Sequence, residues 1–170
     1  MTAPAPARPG VVALAYAVAA VAFVADLITK MLAVRHLPGH GPVHLVGDLL
    51  ELELARNPGA AFSTGTSHTA IISVIAIVAA AVVVWFLAKV RSIGWAIALG
   101  LLLAGILGNL SDRIFRAPGP FRGHVVDFIA LPHWPVFNVA DMCINVAAVL
   151  ILILAVRGIR LDGTREQRSG

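Results

Sequence analysis

The chain has 170 residues, of which 59% are hydrophobic and 13% are charged, and its mean hydropathy is +0.89. These values exclude an ordinary soluble domain and indicate an integral membrane protein. The net charge of +4 does not indicate nucleic-acid binding, because the basic residues lie scattered at the ends of apolar segments and form no patch with an aromatic platform. We expect a single membrane domain covering residues 1–170.

Four apolar segments are long enough to cross a bilayer, since a helix needs roughly 20 apolar residues to do so. They predict an all-α membrane fold with four transmembrane helices. The predicted spans are 11–32, 69–88, 92–111 and 136–156. Two outer loops, 33–68 and 112–135, join them, and the ends 1–10 and 161–170 are expected to be disordered because they are rich in Pro and Ala or in polar residues.

An even number of spans places both termini on one side of the membrane. Basic residues precede the first span, fill the turn between the second and third spans, and follow the last span: Arg8, Lys89, Arg91, Arg157, Arg160, Arg165 and Arg168. The positive-inside rule makes these regions cytoplasmic. The first apolar run is longer than that of a usual signal peptide, so we expect it to remain as a span.

The first outer loop contains a predicted strand. Apolar and acidic residues alternate strictly over 50–54, which is the pattern of a strand with one wet face. Asn57, Pro58 and Gly59 then end it with strong turn chemistry. We expect a small sheet on the outer membrane surface, with the leucines facing lipid or the helices.

Polar residues gather at the outer ends of the spans and in the outer loops. They occur in five motifs, which are DLITK (26–30), NPGAAFS (57–63), GNLSDR (108–113), VVDF (125–128) and FNVAD (137–141). A carboxylate at the edge of hydrocarbon loses hydration, so Asp127 and Asp141, close together in sequence, predict a functional site there.

Two carboxylates in one poorly hydrated site cannot both ionise cheaply, so the pair holds a proton near neutral pH. The ionised partner can act as general base on a water molecule. The protonated partner can hydrogen-bond a carbonyl oxygen and later protonate a leaving amine. The pattern of residues is therefore suited to general acid–base chemistry at a carbonyl group.

In their order and spacing, the five motifs resemble those of the lipoprotein signal peptidase (signal peptidase II) family, which are bacterial membrane aspartyl proteases. The family usually has two glycines before GNxxDR, and this chain departs slightly from that pattern, because Gly105 and Gly108 keep only the outer pair with the usual spacing. The resemblance implies cleavage before the diacylglyceryl-modified cysteine of a prolipoprotein. It also implies four spans with a small extracytoplasmic sheet and a short extracytoplasmic helix that cradle the substrate.

The resemblance further implies roles for individual residues. Asp127 and Asp141 match the catalytic pair. The predicted substrate-binding residues are Asn57, Gly59, Asn109, Arg113, Asn138 and Ala140. The predicted supporting residues are Asp26, Lys30 and Asp112. We expect no metal and no organic cofactor, a monomer in contact with membrane lipid, and a site near the extracytoplasmic face of the bacterial inner membrane.

Several of these residues also have simpler interpretations. Asp26 and Lys30 have the spacing of an ordinary helix-end ion pair. Asp112 and Arg113 are compatible with helix-end charges that reach toward water. Asp127 alone could be a turn or cap residue. Asp141 is expected to lie too deep in the fourth span to be a cap, so pairing with Arg113 is its alternative.

Other functions remain open on the residues alone. A small transporter would use Asp26, Asp127 and Asp141 as a cation or proton path, although such proteins place polar groups at the bilayer midplane. A four-span assembly factor without chemistry would leave the asparagines and aspartates unexplained. His36, His40 and His44 are spaced like metal ligands on a helix, but Pro and Gly residues between them argue against one.

Overall fold

The computed structural model describes residues 8–39, 41–59 and 66–165. Its elements, in chain order, are α1 (Pro9–His36), β1 (Val43–Val46), β2 (Leu50–Asn57), α2 (Thr66–Leu87), α3 (Ile93–Phe115), β3 (Val125–Leu131), β4 (Trp134–Phe137) and α4 (Val139–Val156). All four helices contain a segment long and apolar enough to cross a membrane. The prediction of four membrane-spanning helices with a small sheet is therefore confirmed.

The helix boundaries depart from the predicted spans in two informative places. Helix α3 continues to Phe115, so Asp112 and Arg113 belong to the helix and not to the following loop. Helix α4 begins at Val139, three residues later than expected, because residues 134–137 pair with β3 as a strand. Asp141 is consequently in the first turn of α4.

The chain ends are more ordered than expected where the structure describes them. Pro9 and Gly10 already belong to α1, with proline at the first helical turn where its missing N–H costs nothing. Toward the C-terminal end, the carbonyl of Leu161 accepts hydrogen bonds from the backbone N–H groups of Arg91 and Ser92. Residues 1–7 and 166–170 lie outside the described part of the chain.

Helix α3 is the central element of the bundle. It packs against α1, α2 and α4, and it is the most buried of the four helices. Small residues permit the close contacts: a Cβ at Gly100 would lie 2.5 Å from the Ala15 carbonyl of α1, and one at Gly105 would lie 2.5 Å from the Ala140 carbonyl of α4. Glycine at these positions lets the helix backbones approach each other.

The sheet is antiparallel with the order β1-β2-β3-β4. Strand β2 comes from the segment between α1 and α2, and β3 comes from the segment between α3 and α4, so helices α2 and α3 lie between them in sequence. In this pair Ala55 is opposite Asp127 and Asn57 is opposite Val125. Only β2 was predicted as a strand. The strand formed by VVDFIAL is nearly continuous in apolar residues, and such runs have no alternation that would reveal a strand.

The two faces of β3 have different partners. Val126 and Phe128 pack against Ala33 and Leu37 at the C-terminal end of α1. Side chains alternate along a strand, so Asp127 lies on the opposite face. Leu52 and Leu54 of β2 pack against this same cluster of α1 and β3 residues, which is the helix-facing one of the two orientations expected for these leucines.

The predicted short extracytoplasmic helix is not found among the described residues, where each helix is one of the four long ones. Residues 60–65, which hold the Ala60–Ser63 part of the NPGAAFS motif, lie outside the described ranges. Residues 112–115 form the end of α3, and residues 116–124 between α3 and β3 form turns and irregular backbone.

Candidate active site

Asp127 and Asp141 border the same cavity. This cavity has a volume of about 350 Å³ and lies between β4, the end of β2 and the first two turns of α4. Asp127 is 2% exposed, whereas Asp141 is only partly buried. The residues that line the cavity are Asn57, Asp127, Trp134, Pro135, Val136, Phe137, Asp141, Ile144 and Asn145.

Asn138 connects the two aspartates. Its side-chain amide donates to Asp127 Oδ1 at 2.6 Å, and its side-chain carbonyl accepts the backbone N–H of Asp141 at 3.0 Å. The Asp141 carboxylate accepts the Asn138 backbone N–H at 3.1 Å in return. The two residues thus form a reciprocal capping box at the start of α4.

This geometry corrects one prediction. Asp141 was expected to lie too deep for a cap, but the late start of α4 makes it the third residue of the first turn. Asn138 precedes the helix, has extended backbone angles and caps α4. This capping brings the two side chains together.

Two further asparagines hold the carboxylates from other elements. Asn57, at the end of β2, donates to Asp127 Oδ2 at 3.0 Å. Asn109 of α3 donates to Asp141 Oδ1 at 2.8 Å, and its carbonyl oxygen accepts the Asn138 amide at 3.2 Å. Both carboxylates therefore accept hydrogen bonds from at least two neighbours, which fixes the position of their oxygens.

Burial raises the pKa of the Asp127 carboxyl above its ordinary value of 3.8. The hydrogen bonds from Asn57 and Asn138 oppose this change because they favour the charged form, and the nearby charge of Asp141 adds to it. The largest effect is the loss of hydration. This direction is the one that a carboxyl group needs if it is to retain a proton under conditions where exposed carboxylates are ionised.

A second, fully buried group of charges lies behind the asparagines. The Lys30 ammonium, which is 0% exposed, lies 2.9 Å from Asp26 and 3.0 Å from Asp112, and it donates to Asn109 Oδ1 at 3.1 Å. The pair of Asp26 and Lys30 is therefore more than a surface ion pair. Because Asn109 accepts from Lys30, its amide nitrogen must point toward Asp141.

The two acidic partners of Lys30 each hold another element. Asp26 accepts the backbone N–H of Ala140 at 2.8 Å and so ties α1 to the start of α4. Asp112 accepts the backbone N–H of Val126 at 3.1 Å, which ties α3 to β3, and it also pairs with Arg116. Asp112 is 2% exposed, so the interpretation as a charge reaching toward water is wrong.

Arg113 and Gly59 meet at the end of β2. Arg113 is buried, and its guanidinium donates to the Pro58 carbonyl at 3.4 Å. Gly59 has a φ of +90°, and a Cβ there would lie 2.6 Å from the nearest guanidinium nitrogen. Glycine adopts this backbone angle without strain, and any side chain here would displace the Arg113 guanidinium. Arg113 is also not an exposed helix-end charge.

Ala140 is fully buried where α3 and α4 meet, near the start of α4. A Cβ at Gly108 would lie 2.9 Å from the Ala140 Cβ and 2.5 Å from Asp26 Oδ2. Ala140 is therefore a packing residue, and its backbone N–H donates to Asp26.

The sequence patterns did not predict the cavity-lining residues of β4, nor Ile144 and Asn145 of α4. Trp134 to Phe137 were assigned to a loop or to the start of the fourth span. Asn145 is four residues after Asp141, so helical spacing was the available signal for it. The three histidines do not share a helix: His36 ends α1 and His44 lies in β1, while His40 is outside the described residues.

Comparison with known proteins identifies the family. Residues 18–157 match the model of the family described as signal peptidase (SPase) II. The chain belongs to the signal peptidase II family. It is therefore a peptidase, a hydrolase that acts on peptide bonds.

Similar signal peptidase II proteins are found in several bacteria. The chain is 52% identical to a lipoprotein signal peptidase of Streptomyces coelicolor over 90% of its own length and 75% of that protein. It is 44% identical to one of Mycobacterium avium over 99% of the chain and 92% of that protein. The four spans and these relatives indicate a multi-pass bacterial membrane protein.

Solved structures show the same fold. One bacterial membrane enzyme superposes with a TM-score of 0.77 at 25% identity, covering 92% of this chain and 99% of the other. A second superposes with a TM-score of 0.72 at 25% identity and covers 99% of both chains.

Proposed function

We propose that this peptidase removes the signal peptide from diacylglyceryl-modified prolipoproteins by cutting before the lipidated cysteine, with Asp127 and Asp141 as the catalytic pair. The observation that carries the proposal is that both carboxylates border one cavity and are joined through Asn138. The names of the similar proteins support the substrate class.

The mechanism follows from the unequal surroundings of the two carboxylates. Asp127, whose pKa burial raises, is suited to hold the shared proton, and Asp141 is more accessible to water. The ionised carboxylate removes a proton from water, and the oxygen attacks the scissile carbonyl while the protonated carboxyl donates to that carbonyl oxygen. Collapse of the tetrahedral intermediate transfers a proton to the leaving amine of the cysteine, and the pair regains its single proton.

The remaining site residues have supporting roles in this proposal. Asn57, Asn109 and Asn138 orient the two carboxylates through the hydrogen bonds described above. Gly59 and Arg113 shape the entrance at the end of β2, where the arginine charge favours the developing oxyanion. Ala140 sets the close contact of α3 and α4, and the Lys30 group fixes Asn109.

We also propose a membrane topology for this activity. Both termini are cytoplasmic, and the sheet and the cavity lie at the extracytoplasmic face. The substrate enters from the lipid phase with its acyl chains still in the bilayer, and the protein works as a monomer in contact with membrane lipid. No metal or organic cofactor takes part.

The transporter alternative placed Asp26 in one path with Asp127 and Asp141. In the structure Asp26 is 1% exposed, pairs with Lys30 and accepts the Ala140 N–H, and it is not among the residues that line the cavity. Among the described residues, Asp26 therefore does not border the cavity that Asp127 and Asp141 share.

The test is cleavage of a synthetic diacylated precursor by purified protein in lipid nanodiscs. Asp127→Asn and Asp141→Asn are expected to insert normally and to lose at least about 10³-fold in cleavage rate, because each removes a group that transfers a proton. Asp48→Asn is the matched control, since that carboxylate is 99% exposed and lies in the turn between β1 and β2. Cleavage by both site variants at the control rate would refute the assignment.

A further inference from the structure

Asn145 is a polar residue in an otherwise apolar part of α4. It lies four residues after Asp141, and the eleven residues that follow it, 146–156, are all apolar. At a rise of 1.5 Å per residue, Asn145 is about 6 Å further along the helix than Asp141. It is therefore the last polar side chain on α4 before the hydrocarbon-facing segment.

The side chain of Asn145 is exposed and has no hydrogen-bond partner among the residues that the structure describes. An amide group in a membrane-spanning helix is costly to remove from water unless it gains a hydrogen-bond partner. A ligand that places an acceptor beside the Asn145 amide would supply that partner.

Asn145 lines the same cavity as the two carboxylates. Because it is one helical turn from Asp141, both side chains lie on one face of α4. The cavity wall on the other side is formed by β4, whose residues 134–137 are apolar and offer few side-chain donors. A ligand that reaches Asp141 from the membrane side therefore passes the Asn145 amide.

We propose that Asn145 is a substrate-binding residue whose amide donates to a carbonyl oxygen of the lipopeptide, deeper in the membrane than the scissile bond. This inference rests on the proposed function. An extended chain advances about 3.3 Å per residue, so a distance of 6 Å corresponds to a peptide carbonyl about two residues from the cut. The ester carbonyls of the diacylglyceryl group offer the same chemistry at a similar depth.

The test compares Asn145→Leu, which keeps the volume and removes the donor, with Met142→Leu, an exposed position on α4 that does not line the cavity. We expect Asn145→Leu to raise KM about 3- to 10-fold, as loss of one net hydrogen bond does, with kcat unchanged. The conservative variant Asn145→Gln is expected to recover part of the affinity. Met142→Leu should match wild type.

Two substrates distinguish the source of the carbonyl. With a dialkyl-ether lipopeptide, which has no ester carbonyls, the effect of Asn145→Leu persists if the partner is a peptide carbonyl and disappears if it is the ester. Equal KM values for Asn145→Leu and Met142→Leu with both substrates would overturn the proposal.

If Asn145→Leu instead abolishes self-association in nanodiscs and leaves KM unchanged, the partner is a second copy of the chain and the substrate role is refuted.

A binding measurement separates this inference from the proposed function. In an Asp127→Asn background, uncut lipopeptide is titrated against protein with and without Asn145→Leu, and the same 3- to 10-fold weakening is expected. If wild type does not cleave the lipopeptide, the proposed function fails whatever Asn145 does. If wild type cleaves it and Asn145→Leu changes neither KM nor binding, only the inference fails.

Discussion

The Asn138 side chain donates to Asp127 Oδ1 at 2.6 Å while it caps the helix that carries Asp141. One residue thus sets the distance between a strand carboxylate and a helix carboxylate. Because the side-chain carbonyl caps and the side-chain amide positions Asp127, the two roles of Asn138 can be separated by substitution.

Asn138→Ser retains an oxygen that can cap α4 and removes the amide that reaches Asp127. We expect unfolding stability to fall by less than about 1 kcal/mol, since serine is a good cap. Cleavage is expected to fall at least about 10-fold. Thermal unfolding and single-turnover cleavage measure the two effects, with Asn138→Ala as the variant that loses both. If Asn138→Ser cleaves at the wild-type rate, Asn138 acts as a cap alone.

Lys30→Met should destabilise the protein strongly. It leaves Asp26 and Asp112 buried without their cation, and breaking a buried ion pair costs roughly 3–5 kcal/mol. The measurement is the free energy of unfolding in detergent, with Arg35→Met as an exposed control on the same helix. A loss no larger than that of the control would show that the buried lysine is not needed to balance these carboxylates.

The stability of the protein should depend on pH through Asp127. The pKa of Asp127 is raised in the folded protein, so the folded state binds the proton more tightly than the unfolded state does. The stability that this proton binding contributes is fully present below the unfolded pKa of about 3.8, and it is lost as pH rises through the folded pKa. Asp127→Asn should therefore be more stable than wild type above that folded pKa.

This advantage of Asp127→Asn should shrink as pH falls toward the unfolded value, because wild type then carries the same uncharged group. Thermal midpoints of both proteins between pH 4 and pH 8 test this expectation, with the exposed Asp48→Asn as control. A constant difference across the range would contradict the effect of burial on Asp127.

Gly105→Ala should lower activity more than it lowers insertion into the membrane. The added Cβ would lie 2.5 Å from the Ala140 carbonyl and 2.5 Å from Ile144 Cγ1, so α4 must move away from α3. A shift of about 1 Å in Asp141 can cost up to about 10²-fold in rate. Gly10→Ala has open space around it and serves as control. Equal cleavage rates for the two variants would show that α4 accommodates the methyl group without moving Asp141.

The sequence predicts the membrane helices well because length and hydropathy alone decide whether a segment can cross a bilayer. It fails at the start of α4, where Trp134–Phe137 are apolar enough to extend a span but pair with β3 instead. That pairing is a long-range contact that periodicity cannot reveal, and it moved Asp141 from the predicted depth to the first helical turn.

The candidate site could be located from the motifs, but the hydrogen bonds and ion pairs that connect its residues could not be predicted. Lys30 and Asn109 are 79 residues apart, and their contact depends on how α1 and α3 pack. Asn145 lies four residues after Asp141, so helical spacing predicts that both side chains share one face of α4. Uncharged polar residues in apolar segments are weaker signals than carboxylates, although they are costly for the same reason.

The pairing of β2 with β3 bears on when the site proposed above can form during synthesis of the chain. Asn57 and Asp127 are 70 residues apart, with two membrane helices between them. The first half of the newly made chain therefore carries neither Asp127 nor Asp141 into the membrane. The proposed catalytic pair is complete only once α4, which carries Asp141, has been synthesised, so we expect shorter nascent chains to cleave nothing.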